Sequence, residues 1–473
     1  MKRTLWKIYI CIFLTIYAVS SSQAGPIAQR LESRLQTHSP EDEIAVIITL
    51  TDQFNISSFK KNNKGLLRAA TKSVSRAGIN KALRAKADIT QKPLKDFLKI
   101  KGARKIVPFW IFNGMAVTIK VKDIDELALQ PGIQSIRLDS TLNLPVAMAG
   151  SSATPEWNLN AIDAPALWTK GHTGAGIIVA NMDTGVDVLH PDLASRWRGG
   201  SNSWFDPHNE HTTPHDSNGH GTQTMGIMVG GDAGGTAIGV APGASWIAVK
   251  MYNDAGQALL SHIHLSFQWL LDPDGDPNTD DLPDVVNGSW GYDDMVNECF
   301  VEFVSDVEAL KAAGVAVVFA SGNSGPNAST SISPANYSES FAVGNVDEQL
   351  QIDFSSSRGL STCDDSIFPE IVAPGINIKT ADLTFNGSFP GSYAFVSGTS
   401  FAAPHVSGAM ALLLSANPQL TVDELENAIV SSSTDLGNAG PDNDYGNGLL
   451  DVAASYNTFA SFPWILFMPA ILR

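Results

Sequence analysis

From Trp157 onward, short apolar runs alternate with stretches of helical spacing, and this order restricts the fold of the 473-residue chain more than any other feature. The segments Ile177–Ala180, Trp246–Lys250, Val285–Asn287, Val315–Phe319, Phe341–Val343 and Ile371–Ala373 read as strands. They are nearly continuous in Val, Ile, Ala and Phe, as strands buried on both faces must be. Helices are expected at Ser261–Leu271, Phe300–Ala313, Phe401–Leu414 and Val422–Ser431. The alternation implies an α/β fold: a mainly parallel sheet with helices on both faces. A domain of about 300 residues is ample for a sizeable core.

The chain before it has another character. Lys2, Arg3 and Lys7, then the apolar run Ile8–Val19 and Ser22-Gln23-Ala24, form a secretory signal pattern over 1–24, too short to span a bilayer. Export to the extracellular side is therefore expected. Residues 25–147 carry a net charge of +9, whereas residues 148–473 carry −29. A basic segment with an acidic partner in its own chain is no sign of nucleic-acid binding; opposite potentials speed its docking on that partner. The bland alternative, acidity that only keeps the protein in solution, stays open. Within 25–147 the pattern predicts a strand over 41–56, a helix near 60–102, a strand over Trp110–Ile119, a helix over Asp123–Leu129 and a strand over Ile133–Leu138. With turns at Asn113-Gly114 and Pro131-Gly132, this suggests a small ferredoxin-like α/β sandwich. Past the leader only Cys299 and Cys363 remain, so one disulfide is allowed but not required.

Three motifs carry chemistry: Asn181-Met182-Asp183-Thr184-Gly185, Asn218-Gly219-His220-Gly221-Thr222, and Ser397-Gly398-Thr399-Ser400-Phe401-Ala402-Ala403-Pro404-His405. A serine hydroxyl needs a base within hydrogen-bond reach, imidazole suits that role near neutral pH, and a buried carboxylate fixes its tautomer. Asp183 falls at the C-terminal end of a strand, the edge where parallel α/β sheets build sites. His220 and Ser400 each open a helical stretch, with Pro404 expected in the first turn of the second. In Ala320-Ser321-Gly322-Asn323, the Asn323 amide follows a strand and can donate to an oxyanion.

The order Asp…His…Ser and the residues around each resemble the subtilases, subtilisin-like serine proteases, over about 150–455. Val240-Ala241-Pro242-Gly243, Ser333-Pro334-Ala335-Asn336 and Phe354-Ser355-Ser356-Ser357-Arg358 extend the match. Trp157-Asn158-Leu159-Asn160 and Asn287-Gly288-Ser289-Trp290-Gly291 are most similar to the bacillopeptidase F branch. The resemblance implies a serine endopeptidase with Asp183, His220 and Ser400 as triad and Asn323 with the Ser400 N–H at the oxyanion. Ser289, Trp290, Gly291, Ala320, Ser321 and Gly322 would line a cleft that pairs with an extended polypeptide, with Ile332 near its base. It further implies a division into signal (1–24), inhibitor prodomain (25–147), peptidase domain (148–456) and a short apolar tail (457–473). The prodomain would be an intramolecular inhibitor, its tail near Leu142–Gly150 lying in the cleft of a monomer. Gln223 and Phe401 depart from the residues common in the family, at positions that transfer no proton. The rival reading is a catalytically silent peptide-binding protein on the same fold.

Catalysis by such a triad needs no cofactor; structural calcium is open. Asp272-Pro273-Asp274-Gly275-Asp276-Pro277-Asn278-Thr279-Asp280-Asp281 has oxygen ligands at alternate positions but lacks the EF-hand's Gly and closing Glu, so a solvated acidic loop is the stronger expectation. Asp192 matches a family calcium position, although the loop 230–237 lacks the usual Asn pattern. His208, His211 and His215 sit in a polar loop and are expected to be surface residues rather than zinc ligands.

Overall fold

A computed structural model of the chain describes residues 26–62, 72–144, 148–149 and 157–460. The leader and residues 461–473 of the tail lie outside the described residues. Seven strands form one sheet in the order Ile371–Pro374, Phe341–Val346, Ala316–Ala320, Val285–Gly288, Ile178–Asp183, Ser245–Lys250, Trp204–Phe205. Every pairing in it is parallel. Successive side chains of a strand point to opposite faces, and here each set meets its own core. Ala316, Val318 and Ala320 pack with the helix Thr399–Ala416, while Val315, Val317 and Phe319 pack with the helices Leu260–Leu271 and Val304–Ala312. The apolar runs are continuous because both faces are covered.

All six expected strands are present, and the expected helices differ mainly at their ends. The helix read from Phe300 begins with a 3-10 turn at Val301–Phe303 and is α-helical over Val304–Ala312. The hairpin Ile378–Ala381 with Tyr393–Ser397 went unread, since both strands are short and the second is only partly buried. The helix Val452–Ala460 also went unread; its Tyr456 and Phe459 pack against the core, so it runs across the expected 456/457 boundary. No helix among the described residues is long and apolar enough to cross a membrane.

The N-terminal part is a separate antiparallel sheet of four strands, Arg104–Phe109, Gly114–Lys120, Glu43–Leu50 and Ile133–Leu138 in spatial order. Several details differ from expectation: the first strand ends at Leu50 and a helix follows over Ile56–Asn62, and the strand Arg104–Phe109 is additional. Trp110–Asn113 form the turn of a hairpin rather than the start of a strand, because the chain reverses at Asn113-Gly114. The long helix read near 60–102 is interrupted at Gln91, where Pro93 in the first turn of Lys92–Ile100 starts a new helix after Lys72–Thr90.

This sheet docks on the helices 260–271 and 304–312, where Leu83, Phe109, Ile111 and Phe112 join Ile263, Phe267 and Val307 in one apolar cluster. The opposite charges meet at its rim. Arg76 pairs with Asp280 at 2.7 Å and Asp284 at 3.1 Å, Arg137 pairs with Glu302 at 2.8 Å, and Arg84 pairs with Asp272. Asp139 caps the helix 260–271, accepting from the Ser261 N–H at 3.0 Å and the Ser261 hydroxyl at 2.7 Å.

Cys299 and Cys363 are joined in a disulfide that closes 64 residues of chain. It buttresses the turn Ile332-Ser333-Pro334, where Ser333 Oγ accepts from Phe300 N at 2.9 Å and Asn336 donates to the Glu298 carbonyl at 3.0 Å. On the loop-entropy argument it stabilises the fold by about 4 kcal/mol. Replacing both cysteines by serine is expected to lower the unfolding free energy by about that amount in urea titration; an unchanged midpoint would show that the bridge contributes nothing.

Candidate active site

The two helices that carry His220 and Ser400 pack against each other, His220–Val229 on Thr399–Ala416, beside the strand that ends in Asp183. Asp183 is 1% exposed and His220 3%. The His220 Nδ1 lies 2.8 Å and 3.0 Å from the two Asp183 carboxylate oxygens. Asp183 also accepts from the Thr184 N–H at 2.7 Å and the Thr224 hydroxyl at 3.4 Å. Burial alone would lower the imidazole pKa; the Asp183 charge and hydrogen bond, with Asp216 adding to them, outweigh it, so the pKa stands above 6.5. Approach this close needs glycine: a Cβ on Gly221 would meet the Gly185 carbonyl at 2.1 Å, and one on Gly185 would meet the His215 carbonyl at 1.9 Å.

Ser400 is the second residue of its helix, and Pro404 lies inside that helix rather than in its first turn. Without an N–H, Pro404 cannot bond the Ser400 carbonyl four residues back. The Ser289 hydroxyl does so instead, donating to that carbonyl at 2.7 Å. The Ser400 hydroxyl donates to the Ser289 carbonyl at 3.3 Å, its only hydrogen bond among the described residues. Asn323 is tethered by its carbonyl oxygen, which accepts from the Thr399 N–H and hydroxyl, both at 3.0 Å. Its amide NH₂ is thereby turned away from Thr399 and left to donate elsewhere.

Two kinds of residue went unread in the sequence. Asp216, 6% exposed, accepts from Thr184 Oγ1 at 2.9 Å, Gly219 N at 2.9 Å, Thr222 N at 2.9 Å and Thr222 Oγ1 at 2.7 Å. It therefore builds the turn that presents His220; an aspartate four residues before a helix start is the only signal the sequence offered. Asn181 and Asn287, both fully buried in strands, link the helices that carry His220 and Ser400. Asn181 donates to the Gly221 carbonyl at 3.0 Å and accepts from Asn287 at 3.1 Å; Asn287 also donates to Ser289 Oγ at 2.9 Å. Two amides inside apolar strands were the visible signal.

Of the expected cleft residues, Trp290 turns its side chain away from the surface. Its indole is 2% exposed and packs on Phe267, Phe303 and Phe319 just past the end of the strand Val285–Gly288. Ser289, Ala320 and Ser321 are likewise buried, so they and Trp290 offer a ligand main chain, not side chains. Ile332 lies between the two walls: Cβ atoms added to Gly291 and Gly322 would meet its Cδ1 at 2.5 Å and 2.7 Å.

The chain leaving the small sheet runs along this region. Thr141–Asn143 pair antiparallel with Gln257–Leu259, and the Leu144 N–H donates to the Gly256 carbonyl at 3.0 Å. Asn143 and Leu144 line a cavity of about 610 Å³ with His220, Gln223 and Asp254. Met148 and Ala149 pair with Ser397 and Val396, immediately before Ser400.

Asp272, Asp274 and Asp281 bring carboxylate oxygens within 4.8 Å of one another. Asp272 Oδ1 and Asp281 Oδ1 are buried with no hydrogen-bond partner among the described residues, a donor set that fits a hard cation better than a merely solvated loop. Asp192 is already held by protein groups, accepting from the Ala233 N–H and the Tyr393 hydroxyl, both at 2.7 Å.

Residues 174–448 match the Subtilase family of peptidases. The chain belongs to the subtilase family. It is 35% identical to Bacillopeptidase F of Bacillus subtilis over 83% of its own length, spanning 29% of that relative. To Subtilisin E of Bacillus subtilis it is 30% identical over 87% of its length and 98% of the relative, and to an alkaline protease of Alkalihalobacillus alcalophilus 33% identical over 72% and 78%. It is thus a serine-type endopeptidase of subtilisin-like α/β fold.

Proposed function

We propose that this subtilase is a secreted endopeptidase made as a self-processing zymogen, with Asp183, His220 and Ser400 as its triad. The observation that carries the reading is the buried Asp183–His220 hydrogen bond on a helix packed against the one that presents Ser400. On substrate binding the Ser400 hydroxyl exchanges the Ser289 carbonyl for His220 Nε2, a contact often loose before substrate arrives. His220 takes the proton as Oγ attacks the carbonyl carbon, and Asp183 stabilises the imidazolium. The oxyanion is held by the Asn323 NH₂ and the Ser400 N–H; in subtilisin itself, loss of the amide donor costs roughly 10²–10³ in turnover. His220 then protonates the leaving amine, and water releases the acyl group by the same route.

The substrate is an extended polypeptide added as a strand to exposed edges of the cleft. The pairing of Thr141–Asn143 with Gln257–Leu259 supports this, as does that of Met148-Ala149 with Ser397-Val396. In this reading residues 25–147 are an inhibitory prodomain whose tail imitates substrate, and the bond cut lies between Leu144 and Met148. Asp272, Asp274 and Asp281 hold a structural calcium ion, and the mature enzyme is a monomer outside the cell.

Four outcomes follow. Expression of the full chain beside Ser400→Ala, read by intact mass, is expected to show a mature form beginning within 145–148 in the wild type only. Two folded, full-length products would favour the catalytically silent rival. His220 must lose its proton to act, so kcat/KM should rise with pH through a midpoint above 6.5; a midpoint well below 6 would contradict the Asp183 pairing. Because Ile332 fills the space between the pocket walls, a peptide library should show small residues favoured before the cut, and Phe or Tyr as the best residue would refute that. Chelation should lower the melting temperature reversibly on calcium return, and an unchanged value would remove the calcium site.

A further inference from the structure

Four histidines gather beside the cleft, and their partners separate them into two pairs. His208 Nε2 donates to the Met251 carbonyl at 2.7 Å, leaving Nδ1 to accept from His262 Nδ1 at 3.1 Å. That pair is engaged in its own hydrogen bonds. His211 and His215 are different. Their rings stack with centroids 3.9 Å apart, and His211 Nε2 lies 3.0 Å from an Asp254 oxygen. Neither His215 ring nitrogen has a hydrogen-bond partner among the described residues. One ligand atom from each of His211, His215 and Asp254 falls within 4.8 Å of the others.

The three are held in place by groups that have no need of an ion. Asp206 accepts from the His208, Glu210 and His211 N–H groups, each at 2.8 Å, fixing the loop that carries His211. The His215 backbone packs on Gly185. Asp254 is anchored by its N–H to Glu210 at 2.8 Å and by its carboxylate to Lys250 at 3.0 Å.

We propose that His211, His215 and Asp254 form a binding site for a divalent transition-metal ion of the zinc class. Two imidazoles and a carboxylate suit Zn²⁺ in tetrahedral coordination with a water in the fourth position, whereas Ca²⁺ prefers oxygen ligands alone. The rings, now only 20° from parallel, must splay so that both lone pairs reach one ion. The site adjoins the cleft: Asp254 lines the same cavity as His220, and Gly256, two residues on, receives the Leu144 N–H. An ion there competes with Lys250 for Asp254 and shifts the edge on which peptide pairs, so zinc weakens binding of extended substrates. The binding claim stands without the peptidase mechanism; only this kinetic consequence rests on it.

Titration calorimetry of ZnCl₂ into the full chain carrying Ser400→Ala, with calcium in excess to fill carboxylate sites, tests the binding. One site is expected, weakened by about tenfold or more when His211→Ala or His215→Asn is added, the least that loss of a ligand should cost. Equal isotherms in all three proteins overturn the site. X-ray absorption at the zinc edge should show imidazole nitrogen at about 2.0 Å; a shell of oxygen alone overturns it even if the variants misfold. In the wild type, zinc should raise KM for extended peptides with kcat little changed, and His211→Ala should abolish that rise. An unmoved KM with zinc bound overturns the coupling to the cleft, while absence of peptide hydrolysis leaves the binding arms to decide.

Discussion

The rest of this molecule depends on a parallel sheet that must be covered on both faces. Its strands have no polar side to give to water, so each alternate residue commits to one of two cores. The helix Thr399–Ala416 fills one, buried from Thr399 to Leu414, and the helices 260–271 and 304–312 fill the other. Burying a Val, Leu or Phe side chain contributes roughly 1.5–3 kcal/mol. With dozens of such residues on each face, packing dominates the placement of the central helix. Ser400 inherits that rigidity.

Within the apolar interior one polar chain crosses the strands, from the Gly221 carbonyl through Asn181, Asn287 and Ser289 to the Ser400 carbonyl. Each buried amide left unpaired would cost about 1–3 kcal/mol, so the network holds together or fails as a unit. It ties the helix of His220 to the helix of Ser400 across the strands that separate them. Pro404 belongs to the same device, since its missing N–H opens the carbonyl that Ser289 takes. Asp216 does for the turn before His220 what Ser289 does for the turn at Ser400.

The N-terminal unit docks by other means. Its contact with the helices 260–271 and 304–312 combines an apolar patch with arginines on carboxylates at the rim. Arg76 is 5% exposed in its side chain, so its pairs with Asp280 and Asp284 are screened less by salt than a surface pair would be. The same arrangement leaves Asp272 against Arg84 on one side and against Asp274 and Asp281 on the other. A segment of net +9 on a remainder of net −29 is then a local match of groups as well as a long-range attraction.

The sheet strands were legible in the sequence because burial on both faces writes a continuous apolar run. The motifs around Asp183 and His220 were legible because Gly185, Gly219 and Gly221 mark close backbone approach. The inward turn of the Trp290 side chain was not legible, since it lies just past the end of the short strand Val285–Gly288, and the hairpin 104–120 was missed because its apolar turn looks like strand. The Cys299–Cys363 pairing was left open, since 64 residues of separation say nothing of distance. Asp216, the Asn181–Asn287 link and the convergence of His211, His215 and Asp254 were hidden for the same reason: each joins residues by side-chain contact across separate segments. Thus the sequence by itself determined the fold class, the segments that form the parallel sheet and the motifs around Asp183, His220 and Ser400 on which the proposed triad rests, because all of these are written in local pattern. Only the tertiary structure decided which buried polar atoms meet, which side chains turn from the cleft and which carboxylates are left without a partner, because those follow from distances that no local pattern encodes.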